Sequence, residues 1–469
     1  MREVVCLHVG QTGVRIGSAL WQLLSQQHSL HPDGSLSSRD QFYPTSMFSE
    51  SSSGELTPRC VFTDLETTIV EDVRRGPWGG LYQSDCFVTD KEDGASNYAR
   101  GNLSVGRGRV GECLDRIRKE VEGCESLQGL VISHSVGGGT GAGFTALLNQ
   151  HLRDLYKHKT KLQFTVFPSP HISPIVVEPY NTTLYMSHAL DASDSEQLTV
   201  LLDNESLYKV AQREGVELPD YYDINQLIGR IVASVTAPIR LQGPQTVDLT
   251  TIQTNLVPYP RISYVTASLS PNCEGNTHQL TSVSDMTVSC FGEETSTLDL
   301  DRVHGKVLSS CLLYQGSVTP GEINTAIRQL SALRSLKTTS WVPCPFKVGI
   351  VNQSTKSDPV LPSVCALTNH TGLETTIESI TGKFERLYRR RAFCHFYHGE
   401  GLGQDEFQDG LEQMSAWEKD YMYENHPYQG PWYRYRGEGD EDSDSDESEE
   451  YGEGGGNVET LVRIRGRGE

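Results

Sequence analysis

A run of five glycines within seven residues constrains this chain more than any other feature of its sequence. The run, residues 137–143, follows an apolar, strand-like segment at 130–136 and precedes a helix expected to begin near Phe144. Glycines at such a junction let backbone N–H groups converge on an anion, and the helix N-terminus adds a partial positive charge. We therefore interpret the run as a phosphate-binding loop in which the Thr140 hydroxyl donates to a phosphate oxygen. It is not a Walker A loop, because no Gly-Lys-Ser/Thr follows it.

A second glycine turn, Gly-Gln-Thr-Gly at residues 10–13, follows the apolar strand at residues 4–9. Ligands bind at the carboxyl ends of parallel strands, so two such turns at one sheet edge indicate a phosphate site. Asp64 and Glu66 follow another apolar segment. Carboxylates beside a triphosphate usually hold Mg²⁺. A helix-capping role for Asp64 is the alternative that the residues alone leave open.

Strand and helix signals alternate through the first two hundred residues, which predicts right-handed crossovers and a parallel sheet. The polar, Ser-, Pro- and Gly-rich stretch 29–58 is expected to be a long surface loop. The strongest helix spans residues 221–235, with Pro238 expected to limit its C-terminal extension. Past Thr250, shorter strands mixed with helices indicate a second, α+β domain. Residues 374–421 are expected to be helical, with Trp417 packing back on the body.

Composition narrows the class of function. The formal net charge of −21 argues against a nucleic-acid partner, because a polyanion would be repelled. No stretch approaches the roughly 20 apolar residues of a membrane helix, and the N-terminus has no secretion-signal pattern, so we expect a cytosolic protein without a membrane partner. The 11 scattered cysteines contain no C-x-x-C pair, which favours reduced thiols over metal or redox chemistry. Residues 438–450 are densely acidic, which predicts a disordered tail.

The glycine run Gly-Gly-Gly-Thr-Gly-Ala-Gly resembles the signature of the tubulin superfamily, and similar runs surround it. They are residues 10–13, 91–93 (Lys-Glu-Asp), 97–101 (Asn-Tyr-Ala-Arg-Gly), 177–181 (Val-Glu-Pro-Tyr-Asn) and 253–261 (Gln-Thr-Asn-Leu-Val-Pro-Tyr-Pro-Arg). The last run, with His-Gly-Lys at 304–306 and Cys-Leu-Leu-Tyr at 311–314, looks like α-tubulin rather than β or γ. The resemblance spans residues 1 to about 425.

This resemblance implies an α/β fold of the tubulin type. Residues 1–203 would form a GTP-binding domain on a parallel sheet. Residues 204–368 would form the central core helix and an α+β intermediate domain, and 369–425 the C-terminal helices. Residues 426–469 would form a disordered acidic tail with a basic end.

The resemblance also implies a set of ligand contacts for GTP and Mg²⁺. The phosphates would contact Gln11, Ser135, Gly138, Gly139, Thr140 and Gly141. Glu66, supported by Asp64, would hold Mg²⁺, and Glu178 would lie by the ribose. Asn204 and Asn225 would hydrogen-bond the guanine edge, since amide side chains both donate and accept. Tyr221 would stack on the ring; it lies four residues before Asn225 and so shares a helix face with it.

The chain departs from the α-tubulin pattern at the loop that reaches the next subunit's nucleotide. Thr251 stands where the family has a glutamate that positions the attacking water, and threonine has no carboxylate. We therefore expect weak activation of GTP hydrolysis on a stacked partner, and no catalytic residue in this chain.

Four further departures accompany it. The 29–58 loop is shorter than in α-tubulin and lacks lysine, and the segment 351–363 is also shorter. Pro174 replaces a threonine that contacts the nucleotide in the family. His278, at the matching lateral-loop position, is kept. The tail adds a glycine linker at 454–456 and a basic end at 463–467, and it offers Ser443, Ser445 and Ser448 to an acid-directed kinase.

The resemblance implies a GTP-binding structural subunit of cytoplasmic microtubules that forms a head-to-tail heterodimer with β-tubulin. Microtubule-associated proteins would bind the acidic tail. The alternative is a non-polymerising relative that caps or sequesters tubulin partners. A dinucleotide-dependent oxidoreductase is disfavoured, although Gly137, Gly139 and Ala142 fit its fingerprint, because no acidic residue follows at the required spacing.

Overall fold

The computed structural model describes residues 2–36, 46–51, 53–169, 172–173, 175–191, 196–241, 243–271, 282–302, 304–333, 336–351 and 362–425. Several expectations fall outside this part: the acidic tail with its basic end, the positions of Pro174 and His278, and most of the segment 351–363. The described part lies within one compact unit. None of its helices combines the length and the apolar content that crossing a bilayer requires.

Twelve strands are present in the described part. They are β1 Glu3–Val9, β2 Phe48–Glu50, β3 Leu56–Pro58, β4 Cys60–Asp64, β5 Phe87–Thr89, β6 Leu127–Ser135, β7 Thr160–Phe167, β8 Gln197–Asp203, β9 Tyr264–Ser270, β10 Val307–Gln315, β11 Phe346–Val351 and β12 Ser363–His370.

Thirteen α-helices connect and cover these strands in the described part. They are α1 Gly10–Gln27, α2 Thr68–Arg75, α3 Val105–Glu122, α4 Thr145–Leu155, α5 Glu178–Asp191, α6 Asn204–Arg213, α7 Tyr221–Arg240, α8 Leu249–Leu256, α9 Val283–Ser289, α10 Pro320–Ala332, α11 Glu374–Tyr388, α12 Cys394–Gly399 and α13 Asp405–Asn425.

Ten of the strands form one sheet in the order β11-β10-β12-β9-β8-β7-β6-β1-β4-β5. From β5 to β9 all neighbours are parallel, which confirms the expected parallel sheet. Antiparallel β12 then separates β9 from the parallel pair β10 and β11, giving the expected α+β half. Because β8 pairs directly with β9, the sheet continues across the expected boundary at residue 203, and the division into domains stays a prediction.

Strand β1 is buried on both faces, as a central parallel strand should be. Val4 and Cys6 join a cluster with α1 and α7, whereas Val5 and Leu7 join a cluster with α3 and α4. Successive side chains of a strand point to opposite faces, so one strand anchors both helical layers. On the far side, Trp417 of α13 is fully buried and its ring lies 4.7 Å from that of Tyr264, which confirms its packing on the body.

The helix α7 extends past Pro238 to Arg240, so the expectation that this proline limits the helix is wrong. A proline inside a helix leaves the carbonyl four residues earlier without its amide donor. That carbonyl belongs to Ser234, and the side-chain amide of Gln315 on β10 donates to it at 3.3 Å. A tertiary contact therefore replaces the missing backbone hydrogen bond.

The expectation of a polar surface loop at residues 29–58 is wrong for its described part. Strands β2 and β3 pair there in antiparallel register. Met47 and Phe48 are fully buried, and the Phe48 ring lies 5.3 Å from that of Trp21 in edge-on contact. The apolar residues of this stretch were too few and too irregularly spaced to predict a strand.

Candidate nucleotide site

Two glycine turns meet at one edge of the sheet. Strands β1 and β6 are neighbours, so the turns that follow them are adjacent. Gly10 has φ +71°, in the left-handed region that favours glycine, and a Cβ there would lie 3.1 Å from the Gly141 amide nitrogen. A Cβ on Gly141 would overlap the Ser135 carbonyl. Only glycines allow the two turns to approach this closely.

A cavity of about 430 Å³ opens above these turns. It is lined by every residue predicted from the sequence to contact nucleotide or metal: Gln11, Asp64, Glu66, Ser135, Gly138, Gly139, Thr140, Gly141, Glu178, Asn204, Tyr221 and Asn225. The structure thus brings together residues that are spread over more than two hundred positions of the chain. Their individual roles toward a ligand stay predictions.

The two carboxylates lie beside the phosphate-type turn. Asp64 ends β4 and is buried, and burial raises its pKa to about 7 despite hydrogen bonds from the backbone of Glu66 and Leu65 and from the Thr140 hydroxyl. Glu66 is half-buried, and its charge raises the Asp64 pKa further. A bound cation would favour ionised Asp64, so this pair suits Mg²⁺.

Glu178 forms another wall of the cavity. It begins α5, and burial raises its pKa although the Ser173 hydroxyl donates to the carboxylate. A Cβ on Gly137 would overlap the Glu178 carboxylate. The glycine run therefore leaves room for an acceptor next to the cavity, a position suited to a ribose hydroxyl.

The amides and the aromatic ring lie at the starts of two helices. Asn204 begins α6, where the Asp203 carboxylate caps the helix and accepts the Ser169 hydroxyl at 2.5 Å. Tyr221 begins α7 and is 55% exposed, and Asn225 follows one turn later. Donors, acceptors and a ring thus line the same cavity as the carboxylates, and such groups can recognise a purine.

Sequence reasoning missed two buried residues that hold the site in shape. The Asn181 amide donates to the carbonyls of Ser96 and Gly137 at 2.7 and 2.8 Å, and its oxygen accepts the Tyr98 amide at 3.0 Å. The other residue, His134, lies beneath the glycine turn, with its ring Nδ1 within hydrogen-bond distance of the Gly141 carbonyl. Asn181 lies in the Val-Glu-Pro-Tyr-Asn run at residues 177–181, but the sequence pattern predicted no role for this residue. Arg15 was also missed; it lines the cavity one helical turn after Gln11, a spacing that the sequence offered.

Thr251 does not line this cavity. It lies half-buried on α8, where its carbonyl accepts the Asn255 side-chain amide at 2.7 Å.

Comparisons with known proteins agree with this arrangement. Residues 3–212 match the GTPase domain of the Tubulin/FtsZ family, and residues 260–382 match the tubulin C-terminal domain. The chain is 42% identical over 433 residues to the tubulin alpha-2 chain of Caenorhabditis elegans, which covers 90% of this chain and 96% of that relative.

GTP with Mg²⁺ is the cofactor of this family, and the residues present fit both. The glycine turns offer a cradle of backbone N–H groups, and a Cβ on Gly138 would meet no atom within 4 Å, so the cradle opens into the cavity. Asp64 and Glu66 supply the hard oxygen ligands that Mg²⁺ prefers. The chain belongs to the tubulin family, as a divergent, α-tubulin-like member.

Proposed function

We propose that this chain is a GTP-binding structural subunit of the microtubule cytoskeleton in the cytoplasm, α-like, that pairs head to tail with β-tubulin. The observation that carries the proposal is the convergence of two glycine turns, three predicted carboxylates, three predicted side-chain amides and one exposed ring on a single cavity. This set of groups matches the phosphates, the metal and the base of Mg²⁺-bound GTP.

Exposed apolar residues support the proposed contact with a partner subunit. Ile172 lines the cavity and is 51% exposed, and Val176 and Leu218, which precede or follow lining residues within three positions of the chain, are 67% and 90% exposed. Large exposed apolar side chains are typical of an interface. A β-tubulin seated there would enclose the GTP, so the nucleotide would act as a structural part of the heterodimer. Head-to-tail contacts that do not close on themselves generate filaments.

Thr251 limits what the subunit does in such a filament. It lies on α8, away from the chain's own cavity, so it would face the nucleotide of the next β subunit. A threonine cannot orient water with a carboxylate charge. The proposed subunit is therefore a weak activator of GTP hydrolysis on its partner, and it has no catalytic residue toward its own GTP. The acidic tail, outside the described residues, would bind microtubule-associated proteins.

The test is co-expression with β-tubulin, followed by identification of the bound nucleotide in the purified dimer, sedimentation of polymer and measurement of phosphate release. We expect a dimer that retains GTP, forms polymer and releases phosphate slowly. A chain that holds GTP but keeps ordinary tubulin from assembling would favour a capping or sequestering relative instead.

A matched pair of variants isolates the effect of Thr251. Thr251→Glu should accelerate phosphate release from polymer by at least an order of magnitude, because it supplies the missing carboxylate. Thr254→Glu places the same charge at an exposed position of the same helix and should leave the rate unchanged. Equal rates in both variants would refute the proposed role of residue 251.

A further inference from the structure

A second polar cavity, of about 210 Å³, lies along α6 outside the nucleotide site. Lys209 and Arg213 reach it from α6, and Arg302 reaches it from the segment that precedes β10. Glu293 and Asp299 line the same cavity. None of these five residues lines the nucleotide cavity, to which α6 contributes Asn204 instead.

The cationic groups in this cavity outnumber its carboxylates by three to two, and the charges of Glu293 and Asp299 only partly offset the effect of burial on the pKa of Arg302. The Arg302 guanidinium is half-buried and donates to the Phe291 carbonyl at 2.5 Å, a neutral acceptor. Among the described residues, no carboxylate lies within ion-pair distance of Arg302 or Arg213. A guanidinium keeps its charge at every accessible pH, and its planar fork matches a tetrahedral or planar oxyanion. The cavity thus presents two unpaired guanidinium groups to an oxyanion.

The carboxylates of the same cavity select which oxyanion fits. Lys209 lies 3.8 Å from Asp299, so this carboxylate already has a cation. Glu293 makes no ion pair within the described part, although its charge raises the pKa of Arg302, and it would repel a fully deprotonated anion. Inorganic phosphate keeps at least one proton at neutral pH, so its P–OH group can donate to a carboxylate while its other oxygens accept from arginine. Sulfate has no such proton.

We propose that this cavity binds inorganic hydrogen phosphate, with Arg213 and Arg302 as donors and Glu293 as the acceptor of the phosphate proton. The cavity is large enough for the anion and several waters. The site is separate from the nucleotide cavity and is independent of the pairing proposed above.

The test uses the full-length chain purified with bound GTP, so that added phosphate cannot enter the nucleotide cavity. Equilibrium dialysis with radiolabelled phosphate at pH 7.5 should detect one saturable site. Sulfate should compete at least tenfold more weakly than unlabelled phosphate. Glycerol phosphate, a dianion without a proton at this pH, should compete as poorly as sulfate and should improve at pH 5.5. Equal competition by sulfate, or no saturable binding, would overturn the proposal.

Variants then identify the binding groups. Arg302→Gln should weaken phosphate binding by tenfold or more, whereas Arg107→Gln, on the exposed side of α3, should leave it unchanged. Glu293→Gln should let sulfate compete as well as phosphate, because an amide can donate to an oxygen that has no proton. If Arg302→Gln fails to fold by circular dichroism, the exposed Arg213→Gln replaces it. Unchanged phosphate affinity in the folded arginine variant would contradict the assignment.

Discussion

The Nδ1 atom of His134 lies 3.0 Å from the carbonyl oxygen of Gly141. A carbonyl can only accept, so Nδ1 carries the proton, and Nε2 accepts from the Thr165 hydroxyl at 3.0 Å, whereas the Tyr185 hydroxyl, 3.1 Å from Nε2, donates to Gln163 Oε1 at 2.9 Å. Burial lowers the pKa of His134 to about 4, so the ring is neutral and both nitrogens are used in this way. A residue at the end of β6 thus holds the glycine turn from below.

Replacing His134 by phenylalanine should loosen this turn. His134→Phe removes the side-chain donor to the Gly141 carbonyl and the acceptor of the Thr165 hydroxyl, which should lower the free energy of unfolding by about 1–3 kcal/mol and weaken GTP binding. Tyr185→Phe removes one hydroxyl on the Nε2 side of the His134 ring. It should lower the free energy of unfolding and the GTP affinity by less than His134→Phe does. Urea denaturation and GTP titration provide the two values. A His134→Phe protein with wild-type stability and GTP affinity would show that the contact does not support the turn.

Asp64 should make Mg²⁺–GTP binding depend on pH. Its pKa in the folded protein, about 7, lies above the usual value of 3.8, so the protonated form is favoured below neutrality. A cation must displace that proton, so affinity should rise as pH increases through 7 and binding should release protons.

The same carboxyl should also affect stability with the opposite sign. In the nucleotide-free protein, the folded state binds more protons than the unfolded state between pH 3.8 and 7, so stability due to Asp64 is lost as pH rises through this window. The side chain of Asp64→Asn is neutral at every pH. The free energy of unfolding of this variant, measured relative to that of wild type, should therefore be higher at pH 8 than at pH 5. Asp72→Asn on the exposed side of α2 is the control. Parallel pH profiles for wild type and Asp64→Asn, in binding and in unfolding, would refute this role.

Two glycines of the same run should respond differently to alanine. A Cβ on Gly141 would overlap the Ser135 carbonyl, which is backbone and cannot rotate away, so Gly141→Ala should destabilise the fold by about 1–3 kcal/mol. A Cβ on Gly138 would meet no atom within 4 Å, so Gly138→Ala should keep the stability of the nucleotide-free protein. It should still weaken GTP binding, because its methyl group enters the phosphate cradle. Thermal unfolding without nucleotide, followed by GTP titration, separates these two effects.

The neighbouring tyrosines at the start of α7 offer a matched pair. Tyr221 lines the cavity and Tyr222 does not, although both are exposed, at 55% and 59%. Stacking of a base on an aromatic ring is worth about 1–3 kcal/mol, so Tyr221→Ala should weaken GTP binding by roughly fivefold or more. Tyr222→Ala should have no such effect on a single chain. Similar losses in both variants would place the base elsewhere.

The sequence by itself determined the parallel sheet, the strand ends and the residues that gather there. Residues 10–13, 64–66 and 137–143 each follow an apolar strand, and a parallel sheet brings the carboxyl ends of its strands to one edge, so local patterns were sufficient to predict one common cavity. The same patterns located α7, because its apolar face repeats with helical period.

Only the tertiary structure decided how the polar groups of the interior are satisfied. Whether α7 continues past Pro238 depends on Gln315, which donates to Ser234 from 81 positions away. The shape of the glycine turns depends on His134 and Asn181, whose partners come from other strands and helices. Periodicity reports which face of an element is buried, but it carries no information about which distant group completes a hydrogen bond. That pairing arises when the chain packs, since buried polar groups without partners are costly.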